Sequence, residues 1–170
     1  MFNPSRDEVR QFFFATWQKY KADQPLAGVE RLALPILLDH PEYHAILEAK
    51  ERYLDHDWQP ESGETNPFLH FSMHLAIEEQ LSIDQPVGVK DLIEALSEKL
   101  GDGHAARHIA LDGLGEMIWH AQRYGTQPDP AIYLNILRTK LGRAEQADPK
   151  PGEVAETLPE TLKPPRPASN

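Results

Sequence analysis

Apolar residues recur every three or four positions along most of the chain, and the gaps between these runs fall where proline, glycine and capping residues cluster. Ser5 and Glu8 form a capping-box pair ahead of Val9, Phe12, Phe13 and Trp17, which predicts a helix over 6–21. Gln24, Pro25 and Gly28 end it. Val29, Leu32, Leu34, Ile36 and Leu37 predict a second helix over 27–39, kinked or broken near residue 34, because Pro35 removes one hydrogen bond and crowds the turn before it. Asp39 or His40 caps a third helix with Pro41 in its first position, running through Tyr43, Leu47 and Leu54. Residues 56–65, H-D-W-Q-P-E-S-G-E-T, are polar with proline and glycine and read as a loop, which Trp58 marks as a functional candidate.

Asn66 and Pro67 then open N-P-F-L-H-F-S-M-H-L-A-I-E-E-Q, one of the most apolar segments and so a buried helix. D-Q-P-V-G after Ile83 is a turn, and Val89, Leu92, Ile93, Leu96 and Leu100 define a helix over 88–100 that Gly101 stops. A longer helix over 104–124 follows the Asp102-Gly103 turn, with Ala110, Leu111, Leu114, Met117, Ile118 and Ala121 as its core face. Asp129 and Pro130 start the last helix, which ends at Gly142.

These runs predict an all-α, single-domain bundle of six or seven helices with no internal repeat, the helical domain covering residues 1–143. Residues 144–170 are rich in Pro and Glu and nearly free of large apolar groups. They cannot bury enough surface to offset their ordering entropy and are predicted to be a disordered tail.

Composition narrows the chemistry. A chain of 170 residues suits one domain. It has no cysteine, which removes disulfides, thiolate metal sites and cysteine nucleophiles, so any metal must use nitrogen and oxygen. A formal charge of −10 disfavours nucleic acid and anionic membrane surfaces, both of which demand a basic face. The opening M-F-N-P-S-R-D-E does not read as a signal peptide, and no run approaches the ~18 apolar residues of a membrane span. A cytoplasmic location is expected.

Within that frame, three helices each carry histidine with an acid one turn on: His44/Glu48, His70/His74/Glu78 and His108/Asp112/Glu116. Spacing of four places such side chains on one stripe, where two ligands can reach one ion. Helical bundles that hold metals use inward carboxylates and imidazoles in this way, so the set suits iron, manganese or zinc, as one divalent ion or a di-iron centre. No organic cofactor is indicated. His104, one turn before His108, reads as capping or fraying the helix start, His120 as exposed, and Tyr43, Trp119 and Arg123 as packing or surface residues.

The order H-x-x-x-E, H-x-x-x-H, H-x-x-x-D resembles that of hemerythrin-like oxygen-binding bundles, and the resemblance implies His44, Glu48, His70, His74, His108 and Asp112 as ligands. The chain departs from that pattern in having no histidine in its first helix and in spacing the last pair one residue closer. H-P-E-Y-H at 40–44, N-P-F-L-H…H-L-A-I-E-E-Q at 66–80 and L-G-E-M-I-W-x-A-Q-R at 114–123 more specifically resemble an uncharacterised proteobacterial family, domain of unknown function 1841. That resemblance spans about residues 1–141 and implies a helical fold and a bacterial setting without an activity. Two readings fit the residues: a metal-binding bundle, or a metal-free helical adaptor with structural buried histidines and a protein partner. Neither the oligomeric state nor a reaction is written in the chain.

Overall fold

The computed structural model describes residues 5–59 and 63–142, and the stretch 144–170 expected to be disordered lies outside them. The described residues are all-α, with eight α-helices and one short 3-10 turn. Packing divides the chain into two units, Met1–Glu79 and Gln80–Asn170, with the division falling inside the fifth helix.

In the first unit, α1 (Arg6–Lys21) starts on the expected capping box: the Ser5 hydroxyl accepts from the Glu8 N–H and the Glu8 carboxylate from the Ser5 N–H. Phe13, Phe14 and Trp17 on its inner face pack against Ala33, Ile36 and Leu37 of α2 (Val29–Leu38). The same core takes in Leu47 and, from α5 (Pro67–Ile83), Phe68 and Phe71. Of the kink or break expected near residue 34, the break does not occur: the helix over 29–38 continues through Pro35. Pro35 is exposed, and so is Arg31, whose carbonyl would have accepted from residue 35, so water can satisfy it.

The predicted third helix is also different. It resolves into a 3-10 turn (Pro41–Tyr43), α3 (His44–Leu47) and α4 (Lys50–Tyr53), because Ala49 leaves the helical region at φ −122°, ψ 56°. That break redirects the chain so that the carbonyls of Leu54 and His56 meet the guanidinium of Arg10, at 2.9 and 2.7 Å. A tertiary demand overrides good local propensity here. It also lifts the helix number above the expected six or seven.

In the second unit, α6 (Val89–Leu100), α7 (Gly103–Tyr124) and α8 (Pro130–Leu141) pack pairwise on one another. Val89, Leu92, Ile93 and Leu96 are buried from α6, Ala106, Ala110, Leu111, Leu114 and Ala121 from α7, and Tyr133 and Leu137 from α8. Ile118, expected on the core face of α7, is 37% exposed, and Met117 is half-buried. Gly101 ends α6 in the left-handed region at φ 65°, where a Cβ would be strained, as its position predicted. Asp102, and not His104, caps α7 by accepting from the N–H groups of His104 and Ala105.

At Gly113 the side chains of α8 press against α7: a Cβ there would lie 3.0 Å from Tyr133 Cδ2 and 3.4 Å from Ile136 Cγ2. The Tyr133 ring has no exposed surface, and its hydroxyl donates to Gln80 Oε1 at 2.9 Å, so it is held at both ends. Gly113→Ala therefore sets a helix-propensity gain of about 1 kcal/mol against overpacking of roughly 1–3 kcal/mol. We expect net destabilisation on the order of 1 kcal/mol, read by denaturant melts. Gly115→Ala, with nothing within 4 Å of its Cβ, should instead be neutral or stabilising.

Candidate metal site

His40 follows Asp39, the C-cap of α2, and leads into the 3-10 turn at Pro41; its ring is fully buried, although the position lies off every helical stripe that the sequence displays. Its Nδ1 lies 2.6 Å from the carbonyl oxygen of Ile36. A carbonyl can only accept, so Nδ1 carries the proton and, in the neutral ring, Nε2 presents a lone pair. That lone pair faces His70 Nε2 at 3.0 Å, and His70 Nε2 faces His74 Nε2 at 3.2 Å. The ligand atoms of the three residues all lie within 4.8 Å of one another.

The rings meet edge-on, with interplanar angles of 84° for His40 and His70, 66° for His40 and His74, and 76° for His70 and His74. This is the attitude that turns nitrogens toward a common point. α5 supplies His70 and His74 on one stripe because Asn66 caps it as expected, its Oδ1 accepting from the N–H groups of Phe68 and Leu69. Phe71 and Tyr43 wall the cluster. The Tyr43 ring stacks near His40 with centroids 6.0 Å apart, and burial raises the pKa of its phenol, helped by Glu42.

A ring nitrogen holds either a proton or a lone pair. A cation among the three Nε2 atoms would take the His40 lone pair together with those of His70 and His74 in the tautomers that present them. Metal–nitrogen bonds of about 2.0–2.1 Å place tetrahedral ligands about 3.3–3.4 Å apart and cis octahedral ligands about 2.8–3.0 Å apart, so separations of 3.0 and 3.2 Å suit a metal ion.

Within the first unit the sequence-nominated residues divide. His70 and His74 come together, with His40 as the member that sequence reasoning treated only as a cap. Glu78 is half-buried one turn beyond His74. His44 and Glu48 are engaged elsewhere. His44 Nε2 donates to the Leu37 carbonyl at 2.7 Å, and its ring lies 4.5 Å from that of Trp17. Glu48 accepts from Trp17 Nε1 at 3.0 Å and pairs with Lys21 at 3.3 Å. The Trp17 hydrogen bond, with Lys21 assisting, holds the Glu48 carboxyl below the ordinary range.

His108, Asp112 and Glu116 belong to the second unit on α7, where His108 is half-buried with its ring 4.2 Å from that of His104, and Asp112 and Glu116 are exposed. Trp58 serves the first unit as an aromatic face for Arg10, whose guanidinium carbon lies 4.9 Å from the ring centroid. The one clue to His40 in the sequence was its place at the end of an apolar helix, before a proline that fixes the turn.

The model of the family described as Domain of unknown function (DUF1841) matches residues 5–139. The chain belongs to this family. Family membership covers both units and agrees with the motifs at 40–44, 66–80 and 114–123, and it brings no activity with it. No curated protein and no solved structure matches the chain. Among the described residues, no helix is long and apolar enough to cross a membrane.

Proposed function

We propose that this DUF1841 member binds a divalent transition-metal ion through the Nε2 atoms of His40, His70 and His74. The observation that carries the reading is the convergence of three buried or half-buried imidazoles on one point, one of them locked as an Nε2 lone-pair donor by the Ile36 carbonyl. An ion at that point would take the His40 lone pair and the Nε2 atoms of His70 and His74 together.

The test is metal content and titration of the full chain purified without chelator. Wild type is expected to take up one zinc or cobalt per chain. His40→Ala and His74→Ala are expected to lose it, while His44→Ala and Glu48→Ala retain it because their side chains serve Trp17 and the Leu37 carbonyl. Asp112→Ala and Glu116→Ala, exposed on α7, should also be neutral, and His70→Ala, which removes the nitrogen that faces both others, should lose the ion. Absence of stoichiometric uptake by wild type would sink the reading in favour of a metal-free histidine network.

A further inference from the structure

Resting on that reading, we propose that the cluster selects borderline ions such as zinc, cobalt, nickel and iron(II) over calcium, magnesium and manganese, and that His40 is the residue that sets this preference. Donor type leads to it: the converging atoms are imidazole nitrogens, which suit zinc, copper, iron and nickel, whereas carboxylate, carbonyl and water oxygens suit the harder ions. Calcium takes six to eight oxygen ligands, magnesium keeps its waters and takes oxygen, and manganese stands at the weak end of the affinity order for nitrogen sites.

His40 decides the matter because the other two histidines are generic. A His pair four apart on a helix binds many ions. His40 comes from a separate element, has no exposed surface and is fastened through Nδ1 to the Ile36 carbonyl, so its Nε2 sets a third vertex at a fixed distance. An oxygen donor at this position would leave the cluster able to take an ion while removing the bias toward nitrogen-seeking ones.

The experiment is a competition titration on the full chain, with cobalt as the reporter through its visible bands and zinc, manganese, magnesium and calcium as competitors. In wild type, zinc should displace cobalt, and manganese, magnesium and calcium should fail to do so even at about a hundredfold excess. His40→Asp should still bind an ion, with the ratio of zinc to manganese affinity lowered on the order of tenfold or more. His40→Gln, which offers a neutral oxygen, is the second variant in case a buried carboxylate prevents folding. Cobalt uptake by wild type that manganese or magnesium competes away at similar concentration would overturn this inference and leave the metal reading intact. An unchanged affinity ratio in His40→Asp or His40→Gln would overturn the role given to His40. Failure of wild type to bind any of these ions would end both.

Discussion

Wild-type protein loaded with zinc at a hundredfold excess over its dissociation constant is expected to be about 2.7 kcal/mol more stable than the same protein in strong chelator, because an ion that binds only the folded state adds RT ln(1 + [L]/Kd). For a chain of 170 residues that corresponds to a melting shift of roughly 5–10 °C. The increment has a structural source: His40 and His70 lie 30 positions apart, and an ion between them ties the end of α2 to α5. His74→Ala should abolish the chelator-dependent part. It should also lower the melting point of the chelated protein, since deleting a buried imidazole costs on the order of 1–3 kcal/mol in lost partners. His120→Ala, on a half-buried ring beside Tyr124, is the control that should change neither. Differential scanning calorimetry of the three proteins, with and without chelator, separates the two contributions. Identical wild-type melts in both conditions would remove the metal from the account.

Replacing Arg10 is expected to have the other large effect. Its side chain is 1% exposed, donates through Nη1 to the carbonyls of Leu54 and His56, and lies over the rings of Trp58 and Phe68 at 4.9 and 5.4 Å. Hydrogen bonds from a charged donor contribute roughly 1.5–3 kcal/mol each and a desolvated cation–π contact up to about 2 kcal/mol. Against this stands the cost of burying a guanidinium whose Nε has no partner, a burial that pulls its pKa down. We expect Arg10→Ala to lose on the order of 3 kcal/mol, because it empties the space between two aromatic rings and strands two carbonyls. Arg10→Met fills the space without the charge and should lose less. Urea denaturation of the two variants checks the order; a Met variant as stable as wild type would mean that desolvation cancels the hydrogen bonds entirely.

Much of the local structure was legible because it depends on short-range chemistry. The Ser5/Glu8 capping box, the Asn66-Pro67 start of α5, the Asp129-Pro130 start of α8 and the stop at Gly101 each involve residues within one turn of one another, so spacing alone decides them. The His70/His74 stripe was legible for the same reason: a helix places i and i+4 side by side wherever it sits. What spacing cannot say is which stripe another element will meet. His44 and Glu48 had the same one-turn relation, and the fold turned them to the Leu37 carbonyl and to Trp17.

The amino-acid sequence by itself determined that the chain is helical, where most helices begin and end, and that its candidate chemistry is confined to imidazole and carboxylate. The tertiary structure alone decided that helix three would break at Ala49, that the buried cation would be Arg10, and that His40 would join His70 and His74. The reason is physical. Helix caps and stripes are settled by atoms within a few residues of each other, whereas a buried arginine reaching carbonyls 44 and 46 residues on, or an imidazole meeting another 30 residues on, depends on how separate elements pack.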